Sequence, residues 1–290
     1  MTDKLYILKA IVAAIEAGRA ILEVYRSSDF KIEKKDDKSP LTLADKRSHE
    51  IIAKYLEASG IPILSEEGKN IPFAERKGWE IYWLIDPLDG TKEFIKKNGE
   101  FTVNIALICD RKPVGGVIFV PDKDVLYFAL DVQGSYKIDS GQSIQQVRAD
   151  LIEFLSNQTI GLDSDQTEEA FDNLIVRSAK LPILGTSDRP FTIIGSRSHG
   201  SPELEAFVEE KRQEHREVEF ISAGSSLKLC LVAEGKADIY PRTGPTMEWD
   251  TAAGQAIAES AGCKVLQYNT DDPLNYNKEN LLNPWFVVKR

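Results

Sequence analysis

The sequence predicts an α+β protein with an antiparallel sheet in its first half and a mixed sheet in its second. Two N-terminal stretches carry apolar residues at helical spacing, which predicts two core-facing helices. Four β-branched and aromatic runs between residues 102 and 138 are joined by short turns, a pattern typical of an antiparallel meander. From residue 191 strand-like and helix-like runs alternate, which favours an α/β layer with parallel or mixed pairing.

The two N-terminal helices are separated by polar sequence. The first is predicted over residues 4–26, with Leu5 and Leu8 in its apolar stripe. A charged loop without glycine is expected from Lys31 to Ser39, and Thr42 is a good N-cap for the second helix.

The middle of the chain is the least informative part. Residues 139–190 are rich in Gln, Ser, Asp and Thr, and we predict a partly exposed insertion or domain junction with one helix at 165–175. We divide the chain into an N-terminal half, 1–140, and a C-terminal half, 141–290.

Composition limits the classes of partner. The chain has 290 residues, of which 42% are apolar, so it can bury a sizeable core. Its net charge of −10, from 36 basic and 46 acidic residues, argues against nucleic acid as a partner. An acidic protein that binds a phosphorylated ligand must first neutralise its own carboxylates, and divalent cations do that.

Cysteine usage and hydropathy indicate a compartment. Cys109, Cys230 and Cys263 show neither a disulfide framework nor metal-ligand spacing, so a reducing compartment is expected. No apolar run is long enough to span a bilayer. We therefore expect a cytoplasmic monomer or homodimer without a transmembrane segment, and leave open peripheral association with the inner face of the cell membrane.

The stretch Tyr-Trp-Leu-Ile-Asp-Pro-Leu-Asp-Gly-Thr, residues 82–91, carries the strongest chemical signal. Asp86 and Asp89 lie on a predicted turn between a buried strand and a short helix that begins at Thr91. Carboxylate oxygens suit Mg²⁺, and a helix N-terminus after glycine presents N–H groups to a phosphate. Metal and phosphate sites would then be adjacent, as metal-assisted phosphoryl chemistry requires. An ordinary turn, which Asp, Pro and Gly also favour, is the alternative.

Four further residues have both a structural and a functional interpretation. Asp45, three residues after Thr42, fits a variant capping box or a carboxylate aimed at the metal site. Glu66 follows a short strand and is either a solvated surface residue or a ligand at the same sheet edge. Asp250 precedes an alanine-rich helix and is either its N-cap or a cation ligand. His199 lies in a loop and is either a surface residue or a contact to a nucleotide.

Taken together, these stretches resemble the lithium-sensitive, Mg²⁺-dependent phosphatase superfamily of inositol monophosphatase and fructose 1,6-bisphosphatase. The resemblance covers nearly the whole chain and rests on the motifs at 86–91 and 249–254, with Glu66 upstream. It implies a layered αβαβα sandwich. Further motifs resemble the bacterial 3'(2'),5'-bisphosphate nucleotidases; they lie at residues 90–95, 98–104, 196–199, 224–228 and 240–242.

The resemblance also implies roles for individual residues. The Mg²⁺ ligands would be Glu66, Asp86, Asp89, Asp250 and the carbonyl of Leu88. The catalytic residues would be Asp45, Glu66 and Thr91, with Thr91 hydrogen-bonded to Asp45 and orienting a metal-bound water. The substrate contacts would be the N–H groups of Gly90 and Thr91 at the phosphate, and Ser225, Lys228, His199, Arg242 and Asp250.

The implied reaction is hydrolysis of the 3'-phosphate of adenosine 3',5'-bisphosphate to AMP and phosphate, with Mg²⁺ as cofactor. In the family this recycles a by-product of sulfate activation. Lys228 and Arg242 would bind the 5'-phosphate, which a monophosphate substrate lacks. One rival is an inositol or sugar phosphate phosphatase with the same metal site. The other is a catalytically silent binding protein, against which the five acidic positions argue.

Overall fold

The computed structural model describes residues 3–26, 32–34, 40–139, 144–157, 164–183, 189–197 and 201–290. The described helices are α1 (Asp3–Arg26), α2 (Leu43–Glu57), α3 (Phe73–Arg76), α4 (Thr91–Ile95), α5 (Ile144–Ser156), α6 (Ser164–Val176), α7 (Pro202–Glu214), α8 (Leu227–Glu234) and α9 (Ala252–Ser260). The described strands are β1 (Ile32–Lys34), β2 (Pro40–Thr42), β3 (Ile63–Ser65), β4 (Ile81–Asp89), β5 (Thr102–Cys109), β6 (Lys112–Val120), β7 (Val125–Leu130), β8 (Gly134–Ile138), β9 (Ala179–Lys180), β10 (Phe191–Ser196), β11 (Val218–Ala223), β12 (Ile239–Arg242), β13 (Lys264–Gln267) and β14 (Phe286–Lys289).

Two large sheets form the framework, and β1 and β2 pair as a separate ribbon. The seven-stranded sheet has the order β3-β4-β5-β6-β7-β8-β9 and is antiparallel except for the β3–β4 pair. The five-stranded sheet has the order β11-β10-β12-β14-β13, with parallel pairs around β10 and antiparallel pairs around β14. The predicted α+β class, antiparallel first and mixed second, is confirmed.

Alternating side chains on β4 face two different cores, because successive residues of a strand point to opposite faces. Trp83 and Ile85 belong to the core with α1, α2, α5 and α6, whereas Tyr82 and Leu84 pack towards α8 and α9. The five-stranded sheet covers the far side of α8 and α9, and α7 packs on its outer face. The layers are therefore helix, sheet, helix, sheet, helix, which confirms the predicted αβαβα sandwich.

Residues 144–157 and 164–183 of the middle segment contain more secondary structure than was predicted. The predicted helix at 165–175 is present as α6, but α5 was missed. Ile144, Val147 and Leu151 of α5 are buried in the first core, and β9 completes the seven-stranded sheet. The division between residues 140 and 141 stays a prediction.

The loop predicted from Lys31 to Ser39 also needs correction, because its residues 32–34 form β1. The second helix begins at Leu43, directly after the predicted cap. Within the described parts of the chain, no helix combines the length and apolar character that a bilayer crossing requires.

Candidate active site

The Asp-Pro-Leu-Asp stretch forms a bulge inside β4 and not the predicted turn after a strand. Asp86 pairs with Asn104 and Asp89 pairs with Thr102. Two residues of β4, Pro87 and Leu88, therefore lie opposite one residue of β5, which defines a bulge. Pro87 has no N–H for the ladder, which explains where the pairing breaks. The hydroxyl of Ser48 on α2 donates to the Pro87 carbonyl over 2.6 Å and fixes the bulge from outside the sheet.

Three carboxylates from distant parts of the chain meet at this bulge. One oxygen each from Asp86, Asp89 and Asp250 lies within 4.8 Å of the other two. Asp86 is buried and the other two are half-buried. Like charges at this separation repel strongly, and a hard divalent cation with oxygen ligands relieves that repulsion.

The pKa values of two of these carboxyls reflect first their burial and then this repulsion. Burial raises the pKa of Asp86 well above its usual range, and the charges of Glu66, Asp89 and Asp250 raise it further. Burial and then the charge of Asp89 raise the pKa of Asp250 to about 8, although the N–H of Met247 donates to its carboxylate over 2.8 Å. Without a cation, Asp86 and Asp250 thus keep their protons to a higher pH than ordinary aspartates do.

The structural interpretation of Asp250 as an N-cap is not the one observed. Helix α9 starts at Ala252 with Thr251 at its N-cap, and Asp250 closes a short 3₁₀ turn that begins at Glu248. The slim first turn of α9 packs against α8, since a Cβ on Gly254 would lie 2.8 Å from Leu229 Cβ. Because of this close packing, Asp250 lines the same cavity as Asp89 of β4.

Glu66 and Asp45 lie beside the three-carboxylate group. The N–H of Glu66 donates to the carbonyl of Ile85 over 3.1 Å, which places Glu66 next to Asp86 at the sheet edge. Asp45 is buried in the first turn of α2, and its charge also acts on Asp86. Both residues are therefore near the cluster, and their metal-binding and catalytic roles stay predictions.

The two residues after Asp89 form the start of α4. Gly90 occupies its N-cap with a φ of 88°, a left-handed conformation that glycine adopts readily. The hydroxyl of Thr91 lies 3.5 Å from the carbonyl of Leu88, which is the contact that the described residues show for it. A hydrogen bond between Thr91 and Asp45 stays a prediction.

A cavity of about 110 Å³ connects the carboxylates to the predicted substrate residues. Its lining includes Asp89, Asp250, Ser225, Lys228 and Arg242. Two larger open grooves, of about 730 and 900 Å³, are lined by described residues that include none of the predicted site residues. We assign the site to the smaller cavity because the charged groups converge there.

Lys228 is an ammonium group buried inside the protein. Its Nζ donates to the Ser225 carbonyl over 2.5 Å and lies 5.4 Å from the centre of the Tyr240 ring. Burial lowers its pKa to about 8, and the charge of Asp89 opposes that shift. Lys228 is therefore mostly charged at neutral pH.

Ser225 and Arg242 show features typical of a ligand site. Ser225 has a φ of 48°, and a non-glycine residue in this region stores strain of about 1–3 kcal/mol. The Nε of Arg242 is buried and has no hydrogen-bond partner among the described residues. The predicted contact His199 lies outside the described residues.

Three residues of the site had no predicted role. Ser226 and Asn104 contact Asp89, and Glu93 lines the cavity opposite Gly224. All three lie inside motifs on which the family resemblance rests. The motifs could therefore have pointed to these residues, but the sequence alone did not indicate what each of them contacts.

Comparisons with known proteins identify the family. The family model described as "Inositol monophosphatase family" matches residues 3–285. The chain belongs to the inositol monophosphatase family. It is 42% identical, over 95% of its length and 96% of the relative's, to the 3'(2'),5'-bisphosphate nucleotidase CysQ of Shigella flexneri.

Two solved structures show the fold. The crystal structure of CysQ from Bacteroides thetaiotaomicron, titled a bacterial member of the inositol monophosphatase family, has a TM-score of 0.84 and 46% identity over 99% of this chain and 97% of that chain. The crystal structure of the extragenic suppressor protein suhB of Bartonella henselae has a TM-score of 0.66 and 21% identity. The match covers 97% of this chain and 92% of that chain. The prediction of a phosphatase of this family is confirmed.

Proposed function

We propose that the protein hydrolyses the 3'-phosphate of adenosine 3',5'-bisphosphate to AMP and phosphate, with Mg²⁺ as cofactor. The observation that carries the proposal is one cavity whose lining combines two members of the three-carboxylate group, Asp89 and Asp250, with a buried lysine and a partly unsatisfied arginine. Relatives named as bisphosphate nucleotidases at about 40% identity support the choice of substrate.

The donor set fits Mg²⁺. The oxygens of Asp86, Asp89 and Asp250 are hard ligands, and the proposed set adds Glu66 and the Leu88 carbonyl. When bound, Mg²⁺ supplies a Lewis acid that neutralises phosphate charge and lowers the pKa of water.

Thr91 and Asp45 are the proposed catalytic pair. Thr91 lies at the start of α4 beside the bulge, where its hydroxyl would orient the attacking water. Asp45 is buried on α2 and would accept a hydrogen bond from Thr91 Oγ1, which would fix the direction of that hydroxyl. The N–H groups of Gly90 and Thr91 would bind the phosphate that is cleaved.

The cationic side of the cavity is suited to a second phosphate. Lys228 is a buried point charge, and Arg242 Nε retains an unused donor within the described structure. A 3',5'-bisphosphate has two phosphates, and only one of them can occupy the carboxylate side. We propose that Lys228 and Arg242 bind the 5'-phosphate.

Turnover of a substrate panel tests the proposal. Adenosine 3',5'-bisphosphate, 3'-AMP and inositol 1-phosphate are compared with Mg²⁺ and with chelator. We expect Mg²⁺-dependent hydrolysis that favours the bisphosphate. Preference for the inositol ester would instead assign an inositol phosphatase, and turnover in chelator would remove the metal from the reaction.

Lys228→Met separates the two phosphates. Loss of a charged hydrogen bond of about 1.5–3 kcal/mol should raise KM for the bisphosphate about 10- to 100-fold and change KM for 3'-AMP much less. Lys264→Met, at an exposed position on β13, is the control and should behave as the wild type. An equal effect on both substrates would exclude Lys228 from the second phosphate.

A further inference from the structure

Ser226 joins the two parts of the carboxylate group. Its N–H donates to Asp89 Oδ2 over 2.6 Å, and its Oγ lies 2.5 Å from the same oxygen. The same Oγ lies 2.6 Å from the carbonyl oxygen of Asp250. Ser226 is 2% exposed, so these contacts are made away from bulk water.

Asn104 completes the arrangement from β5. Its Nδ2 donates to Ser226 Oγ over 2.9 Å and lies 3.3 Å from Asp89 Oδ2. A hydroxyl has one proton and two lone pairs. With Asn104 as its donor, the Ser226 hydroxyl shares its single proton between two acceptors, Asp89 Oδ2 and the Asp250 carbonyl.

These contacts leave one oxygen of Asp89 for a cation. Asp89 Oδ2 faces three donors, namely the N–H and hydroxyl of Ser226 and the amide of Asn104. Its Oδ1 has no hydrogen-bond donor within the described parts of the chain and can therefore face a cation. The hydroxyl also fixes the backbone of Asp250 relative to Asp89, although the two residues are far apart in the chain.

We propose that Ser226, supported by Asn104, is a positioning residue that holds Asp89 and Asp250 in ligand geometry. This inference rests on the proposed metal site and extends it to a residue of the cavity wall that contacts Asp89 and the backbone of Asp250. Groups that orient metal ligands typically contribute 10- to 100-fold to metal affinity.

Direct metal binding tests the proposal. Mn²⁺ takes the same oxygen ligands as Mg²⁺ and can be counted by electron paramagnetic resonance, with Mg²⁺ as competitor. For Ser226→Ala we expect a Kd for Mn²⁺ that is about 10- to 100-fold higher. Ser226→Cys, which keeps the size with a weaker donor, should lie between Ala and the wild type.

Ser135→Ala is the matched control, because Ser135 is equally buried on β8 and its hydroxyl has no partner among the described residues. Its Kd for Mn²⁺ should equal that of the wild type. Urea unfolding in chelator shows whether either alanine variant merely loses stability. If Ser226→Ala does not fold, Ser226→Cys decides the question.

A Kd for the Ser226 variants within twofold of the wild type would overturn the positioning role. Binding is measured without turnover, so the two proposals can fail separately. A wild-type protein that binds Mn²⁺ but hydrolyses no bisphosphate would overturn the proposed function, and the variants would still decide the role of Ser226.

Discussion

Replacing Asp250 with asparagine should stabilise the metal-free protein while abolishing its metal binding. The pKa of Asp250 is raised from 3.8 to about 8, so the folded state binds the proton more tightly than the unfolded state. At pH 7 this difference corresponds to about 4 kcal/mol, at 1.36 kcal/mol per pKa unit. Asparagine carries no charge and does not need that proton.

Two effects reduce the gain. A neutral oxygen accepts the Met247 N–H less strongly, by about 1 kcal/mol, and solvent screens a half-buried Asp250. We therefore expect Asp250→Asn to raise the free energy of unfolding by about 1–3 kcal/mol at pH 7 in chelator.

The pH dependence has a defined sign. A carboxyl whose folded pKa is raised contributes stability at low pH that is lost as pH rises to the folded value. The wild type in chelator should therefore lose stability between about pH 4 and pH 8. Asp250→Asn should lose less stability over this range, because it lacks one of the two carboxyls with a raised pKa. It should still lose some, because Asp86 remains.

Urea unfolding at several pH values, with chelator and with Mg²⁺, measures both quantities. Asp271→Asn, at an exposed loop carboxylate, is the control and should change stability by less than about 0.5 kcal/mol. In Mg²⁺ the order should reverse, because only the wild type gains stability from binding. A metal-free Asp250→Asn protein that is less stable than the wild type, with the same pH slope, would refute the reasoning.

Two further predictions concern packing and buried charge. Gly254→Ala places a carbon 2.8 Å from Leu229 Cβ and should lower the free energy of unfolding in urea by about 1–3 kcal/mol, whereas Gly78→Ala, which meets no atom within 4 Å, should not. Equal stabilities would contradict the close α8–α9 contact. Glu234→Gln removes a buried charge that pairs with Lys137 over 2.9 Å. It should lower the free energy of unfolding in urea by up to about 3–5 kcal/mol. An unchanged free energy of unfolding would mean that the ion pair contributes nothing.

Elements with a strong local pattern could be predicted from the sequence. The stripe of α1 and the meander from β5 to β8 follow from hydrophobic periodicity. Helix α5 was missed although Ile144, Val147 and Leu151 have the i, i+3, i+7 spacing of an amphipathic helix. The polar composition of residues 139–190 outweighed that spacing in the prediction. The burial of α5 depends on α1, which lies more than 100 residues earlier in the chain.

The three-carboxylate group shows the same limit at the level of single contacts. The sequence identified Asp86, Asp89 and Asp250 through family motifs, and the structure brings their oxygens together. The continuation of β4 beyond Pro87 was missed, because it depends on pairing with β5 on both sides of the bulge. The link from Asn104 to Ser226 spans 122 residues, and no local pattern encodes such a contact.

The site lies where the seven-stranded sheet meets the helical layer, and packing there opposes the repulsion among its carboxylates. Asp86 and Asp89 come from the seven-stranded sheet, whereas Asp250 precedes α9 in the layer between the sheets. Metal-free carboxylates repel one another, so the packing of α9 must hold Asp250 against that force. The small residues at this contact, Gly254 towards α8 and Gly116 towards Ala253, allow the close approach that does so. A cation bound here, as proposed, would remove a repulsion that the folded protein already tolerates. Metal affinity and metal-free stability would then be opposing demands on the same residues.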